Sequence, residues 1–490
     1  MKILLKIAVR NLFEHKVKTL IIGIIIASGV FILVTVNSML DTSKKGIREN
    51  FIENYTGHLM IHGKTTGRAS LFPQGGGMDG ESKKTPTIES FFDVVEFLEN
   101  SPQVKAFSPQ ISGSARVSVE ESDMGFSILF GIDPEKYKEM YPQNINIIEG
   151  EYLDSNEEGI LLSKSVVNML KRFSKREVHA GDKILLTGMS FTAGTKIREV
   201  TVKGIMEFKN SQGQLQFVSL VSVDTMRALE GLTVGANMEV ELSQEDTELM
   251  DMSIDDMFSD TGLGNLSLDN STSNTSDIFN ILGDSSESKA LSETDSGAWY
   301  YIAVRLEPGA SIEGFRKSIQ NWFDEQGLEN STADWLQGAG STAQASQNFQ
   351  WVFNVVIIMI AIVAIIIIMN TLVISITERI PEIGTIRAIG GQKSFIRWMI
   401  LLETFLISIV FGTIGIIAAT IALNVTGAIG IEAPNMFFEV ILGGKVLYPV
   451  ISISALIAGL ISVILISLIA CIYPLVLALR IQPVTAMQSK

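Results

Sequence analysis

Three stretches of this chain carry no charge over unusual lengths: 22 residues between Lys18 and Asp41, 27 between Gln350 and Glu378, and 34 between Lys445 and Arg480. A helix needs roughly 20 apolar residues to cross a bilayer core, and a helix satisfies its own backbone there. Each run is therefore long enough to span. A fourth crossing falls between Arg397 and Glu432, where Glu403 is the only charge. The pattern predicts transmembrane helices over 17–40, 349–377, 398–424 and 447–479. These leave a large segment over 41–348, a loop over 378–397, a short loop over 425–446 and a tail over 480–490.

Charge sets the orientation. The first 18 residues carry Lys2, Lys6, Arg10, Lys16 and Lys18 against Glu14, and the 378–397 loop carries Arg379, Arg387, Lys393 and Arg397 against Glu378 and Glu382. Short basic segments stay on the cytoplasmic side, so both termini and this loop are expected inside and 41–348 outside. That outer segment holds 47 acidic and 26 basic residues, a net of −21, in a chain whose net charge is −15. An acidic exterior argues against nucleic acid as a partner. The single cysteine, Cys471, lies in the last apolar run, which leaves no intrachain disulfide to staple the outer segment. The N-terminal run is long and no small-residue cleavage motif follows it, so it reads as an uncleaved anchor. Before it, Ile3, Leu4, Ile7, Leu12 and Phe13 recur at mostly helical spacing among basic residues, predicting an amphipathic helix over 1–16 on the inner membrane face.

The fold class expected is an α-helical membrane protein with four transmembrane helices plus a large α+β extracytoplasmic domain of two subdomains. Residues 41–53 read as a polar continuation of the first helix and 57–63 as a strand. A mobile Gly-rich loop over 66–86 follows. Next come a helix with Phe91, Val94, Val95 and Leu98 on one face, and three strands. The stretch 299–327 repeats this vocabulary, so 41–150 and 296–348 are expected to pair into one α/β subdomain, with a mostly β subdomain over 151–240 inserted. Residues 241–295 carry 14 acidic residues and one lysine among Ser, Asn and Thr, a composition that predicts a disordered loop.

No catalytic constellation and no metal site is assigned. His58 and His62 can share a strand face, but no cysteine or carboxylate accompanies them. Gly63-Lys64-Thr65 mimics the end of a phosphate-binding loop without its glycine spacing. Of the polar residues inside the apolar runs, two stand out. Asn370 is expected to make an interhelical hydrogen bond, and Glu403, about 9 Å beyond Arg397, is expected to pair with a cytoplasmic basic residue. Gly412, Gly415 and Gly459 predict close helix contacts.

The stretches KIAVRNLFEHKVKTLIIGIIIASG, ITERIPEIGTIRAIGG, LLETFLISIVFGTIG and PVTAM resemble the MacB/FtsX-type permeases of ABC transporters. The central motif matches in order at Glu378, Arg379, Glu382, Ile383, Gly384, Arg387, Ala388 and Gly390. FGIDPE, EEGILLSKSV, GDKILL and Asp334-Trp335 match more loosely. The resemblance implies a permease that converts ATP binding inside into mechanical movement of an outer domain, a mechanotransmission, with the eight motif residues coupling it to the ATPase. Arg379, Arg387 and Arg397 are then expected to reach carboxylates on that partner. The absence of a phosphate-binding loop makes it similar to the split lipoprotein-releasing permeases, LolC and LolE. The implied partners are an ABC ATPase dimer holding ATP and Mg, a second permease copy or paralogue, membrane lipid, a lipoprotein substrate and a periplasmic carrier. No cofactor is expected on this chain, and the implied location is a bacterial inner membrane. MacB-like efflux of drugs, peptides or toxins, and FtsX-like signalling to cell-wall hydrolases, use the same parts.

Overall fold

The computed structural model describes residues 10, 16–65, 69–72, 85–119, 125–155, 157–189, 195–209, 213–233 and 294–480. The amphipathic helix expected over 1–16, most of the Gly-rich 66–86 stretch, the acidic 241–295 stretch up to residue 293 and the tail beyond Arg480 lie outside them. The chain forms two units, Met1–Tyr55 with Asn210–Leu215 and Ser341–Lys490, and Thr56–Lys209 with Gln216–Gly340.

In the first unit, four helices are long and apolar enough to cross a membrane. They run over Lys16–Phe51, Gly340–Glu378, Lys393–Ile429 and Ile453–Arg480, here membrane helices 1 to 4. Helix 1 is 36 residues long, or about 54 Å, so it outruns the expected 17–40 span. Helix 2 starts before position 349 and helix 3 on both sides of 398–424. Helix 4 begins later than the expected 447, because Pro449 disfavours a helical residue before it and Ser452 caps the helix, accepting the Ala455 N–H at 3.4 Å. Residues Val446–Leu447 instead pair with Ile431–Glu432 in a two-stranded ribbon, with a short helix, Met436–Leu442, between them.

Helices 1, 3 and 4 build a shared core in which Ile22, Ile26, Val30 and Val34 meet Ile396, Ile400, Ile407, Val463 and Ala470. Glycine makes this possible: a Cβ on Gly415 would stand 2.5 Å from the Ala27 carbonyl oxygen, and one on Gly459 2.5 Å from Val34 Cγ2. Helix 2 joins that core through Ile368, Leu372 and Ile376, with Ile365 and Met369 packed against it, all in its second half.

The second unit is an α+β domain on one 10-stranded sheet. Its strands are β1 (Leu59–Gly63), β2 (Val104–Ser118), β3 (Gly125–Ile132), β4 (Ile145–Gly150), β5 (Ile160–Ser163), β6 (Lys183–Met189), β7 (Thr195–Phe208), β8 (Val218–Ser222), β9 (Tyr301–Leu306) and β10 (Asn330–Asp334). The path runs β10-β1-β9-β2-β3-β8-β5-β7-β4, and β6 pairs with both β2 and β7. Its parallel pairs are β3 with β8 and β5 with β7. Helices α1 (Phe91–Glu99), α2 (Pro134–Met140) and α5 (Ile312–Gln326) accompany the β1, β2, β3, β9, β10 half, α3 (Lys164–Ser174) belongs to the other, and α4 (Val223–Glu230) packs across both, with Met226 against Gly113 of β2 and Gly131 of β3. Phe315, Ile319 and Phe323 are the buried face of α5, and Phe91, Val94 and Leu98 that of α1. Among the described residues, strand β4 pairs with β7 alone.

Candidate functional site

Helix 2 ends at Glu378, and Arg379, at φ −95° and ψ 10°, turns the chain into a nine-residue helix over Ile380–Ala388. Pro381 sits in its first turn, where a missing N–H leaves no intrahelical bond unmade. The stop is equally local. Gly390 adopts φ +102°, and the Gly391 N–H returns to the Ile386 carbonyl at 2.9 Å, a left-handed helix terminus that suits glycine. A Cβ on Gly391 would stand 2.7 Å from that same carbonyl oxygen. Helix 3 starts at Lys393, so the expected 378–397 loop is mostly helical.

This short helix has two faces. Ile383 and Gly384 are buried, while Glu382, Thr385, Ala388, Ile389 and Gly390 are exposed. Ile389, at 83% exposure, is presented at the tip. Arg387 is half-buried, and Glu378, Lys393 and Arg397 are exposed.

Arg379 turns inward. Its Nη1 donates to both carboxylate oxygens of Glu403, at 3.0 and 2.9 Å, and its Nε donates to Glu382 Oε2 at 3.3 Å. The two side chains are 8% and 15% exposed. Burial works against the Arg379 charge, but the Glu403 and Glu382 carboxylates outweigh it and hold the guanidinium above its usual range. Arg379 is thus paired within the chain through Nε and Nη1, so its buried guanidinium is turned toward Glu403 and Glu382. Glu403 does pair with a basic residue, but one 24 positions upstream. Its neighbour Thr404 donates to the Ile400 carbonyl at 3.0 Å and lies 3.5 Å from Cys471 Sγ of helix 4. Asn370 is exposed on helix 2, and among the described residues no interhelical hydrogen bond to it is found.

A second polar cluster, which the sequence reading missed, sits at the other end of the bundle. Asp41 Oδ2 accepts from Ser452 Oγ at 2.8 Å and Ser454 Oγ at 3.3 Å. Thr42 Oγ1 accepts the Val450 N–H at 3.0 Å, and Ser43 Oγ donates to the Ile441 carbonyl. These bonds tie helix 1 to the 3–4 loop and to the start of helix 4. The available signals were Ser452, placed to cap an apolar helix, and Asp41, the first charge after the first run.

In the outer domain, His58 Nδ1 accepts the Leu306 N–H at 3.0 Å, and His62 Nδ1 lies 2.7 Å from the Gly63 carbonyl. Burial pushes the His62 pKa down, with the Gly63 hydrogen bond opposing it. Among the described residues no group of three His, Cys, Asp or Glu side chains is placed to hold a metal.

Two family models match the chain: an FtsX-like permease C-terminal over 354–483, which includes the Ile380–Ala388 helix, and a MacB-like periplasmic core domain over 19–256. The chain belongs to the MacB/FtsX-type ABC permeases. It is 40% identical over 78 residues to the ABC transporter permease YtrF of Bacillus subtilis, covering 15% of this chain and 18% of that one. Over 127 residues it is 29% identical to the macrolide export ATP-binding/permease protein MacB of Psychrobacter cryohalolentis, covering 23% and 19%. The matches thus span less than a fifth of each relative's length. Among solved structures, the periplasmic region of MacB from Actinobacillus actinomycetemcomitans aligns at 12% identity and a TM-score of 0.30, over 59% of this chain and 91% of that one. The extracellular domain of YknZ from Gram-positive bacteria aligns at 10% identity and a TM-score of 0.29, over 56% and 99%. At those scores the two structural likenesses carry no argument. As a MacB/FtsX-type permease, the chain is a multi-pass membrane protein with a large extracytoplasmic domain.

Proposed function

We propose that this permease couples an ABC ATPase on the cytoplasmic side to movement of its extracytoplasmic domain, with the Ile380–Ala388 helix as the point of contact. The observation that carries the proposal is the shape of that helix. It is set off from helices 2 and 3 by the Arg379 break and the Gly390-Gly391 turn, and it turns Glu382, Thr385, Ala388 and Ile389 outward. An isoleucine 83% exposed in a basic segment between two membrane helices is a side chain that a partner protein would cover. The ATPase acts as a dimer holding ATP and Mg, and a second permease copy or paralogue completes the assembly. The chain itself performs no bond chemistry.

For cargo, the resemblance to lipoprotein-releasing permeases favours lipid-anchored proteins drawn from a bacterial inner membrane and passed to a periplasmic carrier. MacB-like efflux is the second reading, favoured by the identity to the macrolide exporter. The test is to solubilise the full-length chain from its own membranes, identify by mass spectrometry what stays bound, and measure ATP turnover with added ligands. Co-purification of an ABC ATPase, with turnover raised severalfold by a triacylated lipopeptide, is expected. Stimulation by a macrolide alone would move the cargo to efflux, and the absence of any ABC ATPase would end the coupling reading.

A further inference from the structure

We propose that the Arg379–Glu403 pair is a positioning device, which fixes the angle of the coupling helix on helix 3 so that a push on its outer face moves the bundle instead of bending a linker. The inference rests on the coupling reading above. Arg379 is the residue at which helix 2 ends and the coupling helix begins. At its other end, that helix is joined to helix 3 through Gly390 and Gly391, the most deformable pair of residues a chain can offer. Without a further anchor, a load on Ile389 or Thr385 would be absorbed there.

Glu403 supplies the anchor. It lies ten positions into helix 3, past the diglycine turn, and both its oxygens grip Nη1 of Arg379. The adjacent Thr404 touches Cys471 of helix 4, so the grip reaches two helices of the bundle. Energetics point the same way. A buried ion pair gains little stability over a well-packed apolar pair, because desolving two charges offsets their attraction, and its best-attested use is to specify one geometry. Glu382, on the exposed face, also accepts from Arg379 Nε, which links the docking surface to the anchor through one guanidinium.

The test uses the full-length chain together with the ATPase that co-purifies with it, comparing Glu403→Gln, Arg379→Gln and the exchanged pair Arg379→Glu/Glu403→Arg, with Ile389→Asp as a docking control. Both single neutral variants are expected to keep the ATPase bound and the KM for MgATP within twofold, while kcat falls at least tenfold. The exchanged pair is expected to recover at least a third of the native rate, and Ile389→Asp to lose the ATPase. A kcat within twofold of native in both single variants overturns the inference. So does loss of the ATPase from both folded variants, which would make the pair part of docking. Where a single variant does not give a monodisperse protein, the exchanged pair decides alone: a third of the native rate or more upholds the inference, and a folded exchanged pair below that overturns it. If no ATPase accompanies the unaltered chain, it is the coupling reading that fails.

Discussion

Glu230 shows how one residue's surroundings set a measurable property of the outer domain. It ends α4, and a Cβ on Gly113 of β2 would come within 2.3 Å of its Oε1. Burial pushes its carboxyl up from 4.5 to about 7, opposed by the Tyr300 hydroxyl that donates to it at 3.3 Å. An acid raised in the folded state binds its proton more tightly there than in the unfolded chain. Its contribution is therefore most favourable below pH 4.5 and is lost as pH rises through about 7. The change amounts to about 3 kcal/mol across that window. Glu230→Gln is expected to remove most of this slope, read as hydrogen-exchange protection of β9 in the full-length protein at pH 5 and pH 7.5 after correction for intrinsic rates. An unchanged slope would place the titration elsewhere. Residues of this kind are only half legible in sequence. Glu403 stood out as a lone charge in an apolar run, but its partner Arg379 lies across a helix break, and nothing in the spacing joins them. Glu230 gave no signal, since Gly113, in β2, and Tyr300, just before β9, are far from it in sequence.

Elements were more legible, and their errors have physical causes. Apolar runs located all four membrane helices, because hydrocarbon demands uninterrupted length. The boundaries were set instead by caps and breakers: Ser452 and Pro449 moved the start of helix 4, and Arg379 with Gly390 made a helix out of an expected loop. Strand β4 went unread in the sequence, because six residues of alternation name neither a strand nor its neighbour, which is β7. The Asp41 cluster permits a prediction at this scale. The carboxylate faces the capped N-terminus of helix 4, where negative charge is favourable. Asp41→Ala removes the carboxylate that accepts from both serines, leaving Ser452 and Ser454 bonded to each other at 2.6 Å, and is expected to cost about 1 kcal/mol. The Asp41→Ala protein is expected to show faster amide exchange over residues 450–456 with little change in β2. Equal exchange in both places would mean that the cluster does not hold helix 4.

For the whole molecule, the decisive property is which side of the membrane each unit faces, and charge argues it. The coupling segment carries Arg379, Arg387, Lys393 and Arg397 against two glutamates, and with Arg379 neutralised by Glu403 the remaining exposed or half-buried charges are still mostly basic. Such a segment between two spans resists translocation, whereas the acidic 41–348 segment, far longer than about 60 residues, crosses largely regardless of its own charge. The native protein has one cysteine, Cys471, and it is buried, so introduced cysteines can be read against a quiet background. Phe92 on α1 is 65% exposed and Ile389 on the coupling helix 83%. In intact cells, Phe92→Cys is expected to react with a membrane-impermeant maleimide, after removal of any outer membrane barrier, while Ile389→Cys reacts only once the inner membrane is opened. Reactivity of Ile389→Cys from outside would reverse the topology, and an ATPase confined to the cytoplasm would then have no surface to push on. Protection of both sites until lysis would put the two segments on the same side, and helix 2, which lies between them, would then not cross the membrane.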